Sequence, residues 1–256
     1  MTTRPPSGEQ LDSIPLDAKS GAKLPLHAFS VLLGGDVFEV VNGAPPKDGA
    51  DLARQYVATR IRIESHGVST DLIQLVQNEL VTQLKGNPQL VARLEIGRPL
   101  IIDIVPQGRR MATYGFPPHV SAHAAGLFWD SPAWPEARIA LMQTSLEKER
   151  VLVTHEMAHA INRLAFTKTE QESIYRLMLP VYKSRSAVDE VFAIYSEREF
   201  VGAFNAHEGQ APGVYGLARR RWDERHVFTR FVRLLYHPHK PLAGSARTGP
   251  KHLLGL

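Results

Sequence analysis

The chain has 256 residues, a formal net charge of +4, 43% hydrophobic and 22% charged residues, and no cysteine. Such a length and composition can bury one sizeable core in an ordinary globular protein. They exclude disulfides, thiolate metal ligands and a cysteine nucleophile, and no apolar run approaches the ~20 residues of a membrane-spanning helix.

The opening residues, MTTRPPSGEQLDSIPLDAKSGAK, lack the hydrophobic region of a Sec-type signal peptide. Their Pro, Ser, Gly and charge content reads as a disordered leader over 1–25, followed by a single domain over 26–240 and a flexible basic tail over 241–256. Gln55 to Glu64 alternates apolar and polar residues and predicts a strand. Ser69 or Thr70 caps the following helix, DLIQLVQNELVTQLKG, which stops near Gly86, Asn87 and Pro88. QLVARLEIG predicts a short helix, and RPLIIDIVP, β-branched and bounded by prolines, an interior strand. Gly108 to Ala122 reads as a loop, and AAGLFWD and ARIALMQT as two strands joined by SPAWPE. Helices are then expected over about Leu146 to Phe166, in TEQESIYRLMLPVYKS, in SAVDEVFAIYSEREFVGAFN with a start at Ser186 and Asp189, and over roughly Leu217 to Tyr236. Strands in the first half and helices in the second make an α+β architecture.

The segment VLVTHEMAHAINRL, Val151 to Leu164, sets His155 and His159 four residues apart around Glu156, within an apolar run. On a helix, residues i and i+4 lie one above the other, so both imidazoles point the same way with Glu156 on the neighbouring flank. That arrangement can hold one Zn2+ per chain and set a base beside the metal-bound water.

A catalytic zinc needs three protein ligands and one open position. The extended motif with a third histidine fails, because Asn162 and Ala165 occupy the required places. Glu190, 35 residues after His155, lies among Val191, Phe192 and Ile194, where a carboxylate needs a compensating cation. Glu197, two turns further along nearly the same face, is either the ligand instead or a partner that orients an imidazole.

HEMAHAIN followed by DEVFAIYSE resembles the lethal-factor-like gluzincins, the group that includes the anthrax lethal factor catalytic domain and the Pro-Pro endopeptidases; type III effector HExxH peptidases are a near rival. AAGLFWDSPAWPEARIALMQT is similar to the edge-strand hairpin of that family, and the likeness runs over roughly Gly126 to Asn205. The resemblance implies a zincin-like fold, with a small twisted sheet packed on the HExxH helix and a helical C-terminal half. It also implies a tyrosine upstream of the ligand glutamate that stabilises the transition state: Tyr182 is the nearest match, with Tyr195 in reserve. Glu156 would act as general base on a peptide bond, and Gly126, Leu127 and Phe128 would pair with an extended protein or peptide substrate.

Tyr215 to Leu256 holds nine Lys or Arg against two Asp or Glu, a net +7 that leaves −3 for the rest. The plain reading is a solvated basic face on a packed helix, and the rival is recruitment to nucleic acid. A non-catalytic zinc or partner-binding module is the further alternative. The leader suits either a cytoplasmic protein or export by a non-classical or effector route, and no oligomeric state follows.

Overall fold

The computed structural model describes residues 49–202, 212–223 and 226–238. The leader 1–25, the start of the domain at 26 and the tail 241–256 therefore lie outside the described residues.

Helix α1, Gly49–Arg60, runs into strand β1, Ile61–Glu64. The strand expected over Gln55 to Glu64 is thus mostly helix. Ala53, Tyr56 and Val57 are buried at i, i+3 and i+4, a helical spacing. A short apolar alternation satisfies both periods, and packing of α1 against the two helices that follow decides between them. Those helices are α2, Thr70–Leu84, and α3, Pro88–Ile96. Ser69 caps α2 by accepting from the Leu72 amide, and Asn87 caps α3 by accepting from Gln89 and Leu90.

Strand β2, Leu100–Val105, is buried along its whole length and lies parallel to β1 on one side and to Ala137–Met142 on the other. Beyond it, the expected loop contains a short 3₁₀ turn, Met111–Tyr114, and a single-turn helix α4, Pro118–Ser121. Strands β3, Gly126–Trp129, and β4, Ala137–Met142, form the hairpin read from the sequence. The order β1-β2-β4-β3 leaves β3 on the edge, antiparallel to β4. The fold is therefore α+β with a small mixed sheet.

One face of the sheet, with Leu100, Ile102, Ile104, Ile139 and Leu141, joins the main core. The opposite face carries Val105 and Ala140 against Met111 and Phe116. On that face the fully buried Asp103 accepts from Arg138 Nε at 3.0 Å and Nη2 at 2.6 Å, and lies 2.9 Å from His66 Nε2. A carboxylate in the core is tolerated when paired in this way.

A helical turn α5, Gln143–Leu146, leads into α6, Val151–Leu164, which carries the histidine motif and packs on β3 and β4. Helix α7, Lys168–Tyr182, starts with a capping box in which Thr167 and Glu170 satisfy each other's backbone amides. Lys183, at φ 66, ends it and turns the chain back. Helix α8, Arg185–Val201, then packs along α6. Its cap is Ser184, which accepts from the Ala187 amide, rather than Ser186. The single helix expected over Leu217 to Tyr236 is two, α9, Pro212–Arg221, and α10, Val227–Tyr236, and both pack on α8.

Candidate metal centre

Helix α6 is buried on nearly every face, because the sheet lies on one side and α8 on the other. His155 and Glu156 are therefore buried polar groups that need partners. Earlier residues of α8 meet later residues of α6: Asp189 accepts from Asn162 at 2.8 Å, whereas Glu197 meets His155. The two helices run antiparallel. Tyr175 of α7 donates to the same Asp189 oxygen at 2.8 Å, so one carboxylate ties α6, α7 and α8 together beside Glu190.

His155, His159 and Glu190 each offer an atom that could bind a metal, and these atoms all lie within 4.8 Å of one another. The two Nε2 atoms are 3.2 Å apart, Glu190 Oε1 is 3.5 Å from His155 Nε2, and Glu190 Oε2 is 3.7 Å from His159 Nε2. Ligands about 2.1 Å from a tetrahedral ion are separated by about 3.4 Å, so these side chains fit one small cation. The donor set, two imidazoles and a carboxylate, suits a divalent transition metal.

Glu197 stands on the other side of the His155 ring, with Oε1 in hydrogen-bond contact with Nδ1. Donation from Nδ1–H fixes the tautomer and leaves the Nε2 lone pair facing Glu190 and His159. Tyr215, from α9, donates to the same Glu197 oxygen at 2.9 Å. Of the two acids left open by the sequence, Glu190 faces both metal-binding nitrogens and Glu197 supports His155 from behind.

Glu156 is covered by the edge strand. A Cβ on Gly126 would lie 2.5 Å from Glu156 Oε1, and the Phe128 amide donates to the carboxylate. Burial, opposed by His155 and reinforced by Glu190 and Glu197, pushes its pKa up to about 7. Burial pushes His159 down to about 3 with the help of His155. Burial also disfavours the His155 cation, but the bond to Glu197 and the charges of Glu156 and Glu190 outweigh it and raise His155 to about 9. Three carboxyl groups crowd two imidazoles, and a divalent cation would relieve that crowding.

The expected tyrosines lie elsewhere. Tyr195 donates to the Ala218 carbonyl at 3.4 Å, and the buried Tyr182 neighbours Tyr195. The phenol brought to the site is Tyr215, which the sequence reading missed. Its signal was faint: Tyr215 shares a helical spacing with Ala218 but lies two residues ahead of the expected helix start at Leu217.

No protein-family model, curated protein or solved structure matches the chain. Among the described residues, no helix is long and apolar enough to cross a membrane.

Proposed function

We propose that the chain is a zinc-dependent endopeptidase with a zincin-like fold, related in kind to the lethal-factor-like gluzincins that its motifs resemble. The observation that carries this reading is the convergence of His155, His159 and Glu190 with Glu156 held beside them under an edge strand. Zinc bound to those three residues would supply a Lewis acid for the scissile carbonyl and a water with a pKa near ~7. Glu156 takes the proton from the attacking water on its carboxylate and delivers it to the leaving amine. His155 keeps its proton on Nδ1 through Glu197, so the opposite nitrogen stays available to the metal. Among the described residues β3 pairs with β4 alone, and its outer edge, apart from the Phe128 amide that meets Glu156, would take an extended peptide as an added strand. Tyr182 and Tyr195 have no role in this reading, because their phenols are turned into the helical half.

The non-catalytic alternative fares worse on one observation. A site that only shapes a surface has no use for Glu156, whose burial costs free energy and whose cover requires glycine at position 126. Recruitment to nucleic acid rests on a basic region only part of which lies outside the described residues, and retention on DNA at low salt would be its test. A peptide-library cleavage screen with metal analysis tests the main reading: one zinc per chain and chelator-sensitive cleavage are expected. A metal-loaded chain that cleaves no peptide would sink it.

A further inference from the structure

We propose that Tyr215 is a positioning residue for the metal centre: its hydroxyl fixes the Glu197 carboxylate, and Glu197 in turn fixes the ring of His155. The inference rests on the metal-site reading above. Tyr215 comes from α9, outside the α6–α8 pair that supplies the two histidines and the three glutamates of the site. Its hydroxyl donates to Glu197 Oε1 at 2.9 Å, and that same oxygen meets Nδ1 of His155. Glu197 is 1% exposed, so its charge is balanced by protein donors and not by bulk water. With two donors on one oxygen, the phenol helps decide where that oxygen sits. The position of the oxygen sets the tilt of the imidazole about its own axis. The tilt aims the Nε2 lone pair, and a metal–imidazole bond is directional. Tyr215 is itself buried, so its hydroxyl cannot trade this bond freely for water.

The competing account is that Tyr215 only packs α9 onto α8 and that its hydroxyl bond is incidental. Metal affinity and metal geometry separate the two, because packing alone moves neither. The experiment uses the full chain with Zn2+, measured by chelator competition, and with Co2+ as a spectroscopic probe. Tyr215→Phe should bind Zn2+ measurably more weakly, by up to the about 10-fold loss that marks the partner of a ligating histidine, and its cobalt absorption bands should shift. Tyr215→Phe added to Glu197→Gln should cost nothing further, since both act through one carboxylate. If Tyr215→Phe does not fold, 3-fluorotyrosine at position 215 is nearly isosteric and a stronger donor, and it should still move the cobalt bands. Wild-type affinity with an unmoved spectrum overturns the inference alone, as do losses that add in the double variant. A wild-type chain that binds neither metal overturns the endopeptidase reading and this inference with it.

Discussion

Gly126 touches Glu156: a methyl group at position 126 would stand 2.5 Å from one carboxylate oxygen and 2.7 Å from Cγ. Strand β3 can cross the HExxH helix at that depth only because residue 126 has no side chain. Gly126→Ala should therefore displace the base or the strand, and overpacking of this kind costs about 1–3 kcal/mol. Misplacing a reacting group by about 1 Å costs about 100-fold in rate. The proposed metal ligands lie on α6 and α8, so zinc content should hold. Peptide hydrolysis and metal analysis on one preparation check this, and wild-type turnover by Gly126→Ala would refute it.

Glu156→Gln keeps the shape of the base and removes its ability to take a proton. Zinc stoichiometry should stay at one, while hydrolysis should fall by about 100- to 10,000-fold. An active Glu156→Gln protein would end the endopeptidase assignment.

Glu190 and Glu197 make opposite predictions. Glu190→Ala removes the carboxylate that faces both Nε2 atoms, and bound zinc should be lost. Glu197→Ala removes only the partner of His155 Nδ1, so zinc should remain with affinity about 10- to 100-fold weaker. Equilibrium dialysis distinguishes them, and the reverse pattern would show the ligand assignment to be wrong.

Alkaline pH should unfold the protein through its buried phenols. Burial raises Tyr56 and Tyr236 each to about 12. Their folded values lie above the unfolded value of about 10, so the neutral phenols contribute stability that is complete below pH ~10. It is lost as pH rises from 10 towards 12, by up to about 1.4 kcal/mol per pH unit for each tyrosine. Thermal midpoints between pH 9 and 12 should fall steeply, and Tyr56→Phe should flatten the decline. A midpoint insensitive to pH above 10 would contradict the burial argument.

Much of the candidate site was legible without coordinates because it is local. The i, i+4 spacing of His155 and His159 is fixed by helix geometry once α6 forms, and the apolar pattern around them identifies α6 as a core helix. The hairpin of β3 and β4 was legible from its proline-containing turn. The split between α9 and α10 was not, because basic residues and aromatics continue across the break with helical spacing.

The amino-acid sequence alone was enough for the pair of imidazoles, the carboxyl group beside them and a helix offering two more carboxylates. The tertiary structure set where each carboxylate stands, Glu190 before both Nε2 atoms and Glu197 behind His155. Glu190 and Glu197 lie within about 20° of each other around α8, so a periodicity that reports faces cannot tell them apart. Their difference is translation along the helix, about 10 Å, and only the antiparallel packing of α8 on α6 sets that register. The same holds for Tyr215 behind Glu197 and for Gly126 above Glu156. Each contact joins separate elements, and it is the packing of cores, not local spacing, that brings such partners into register.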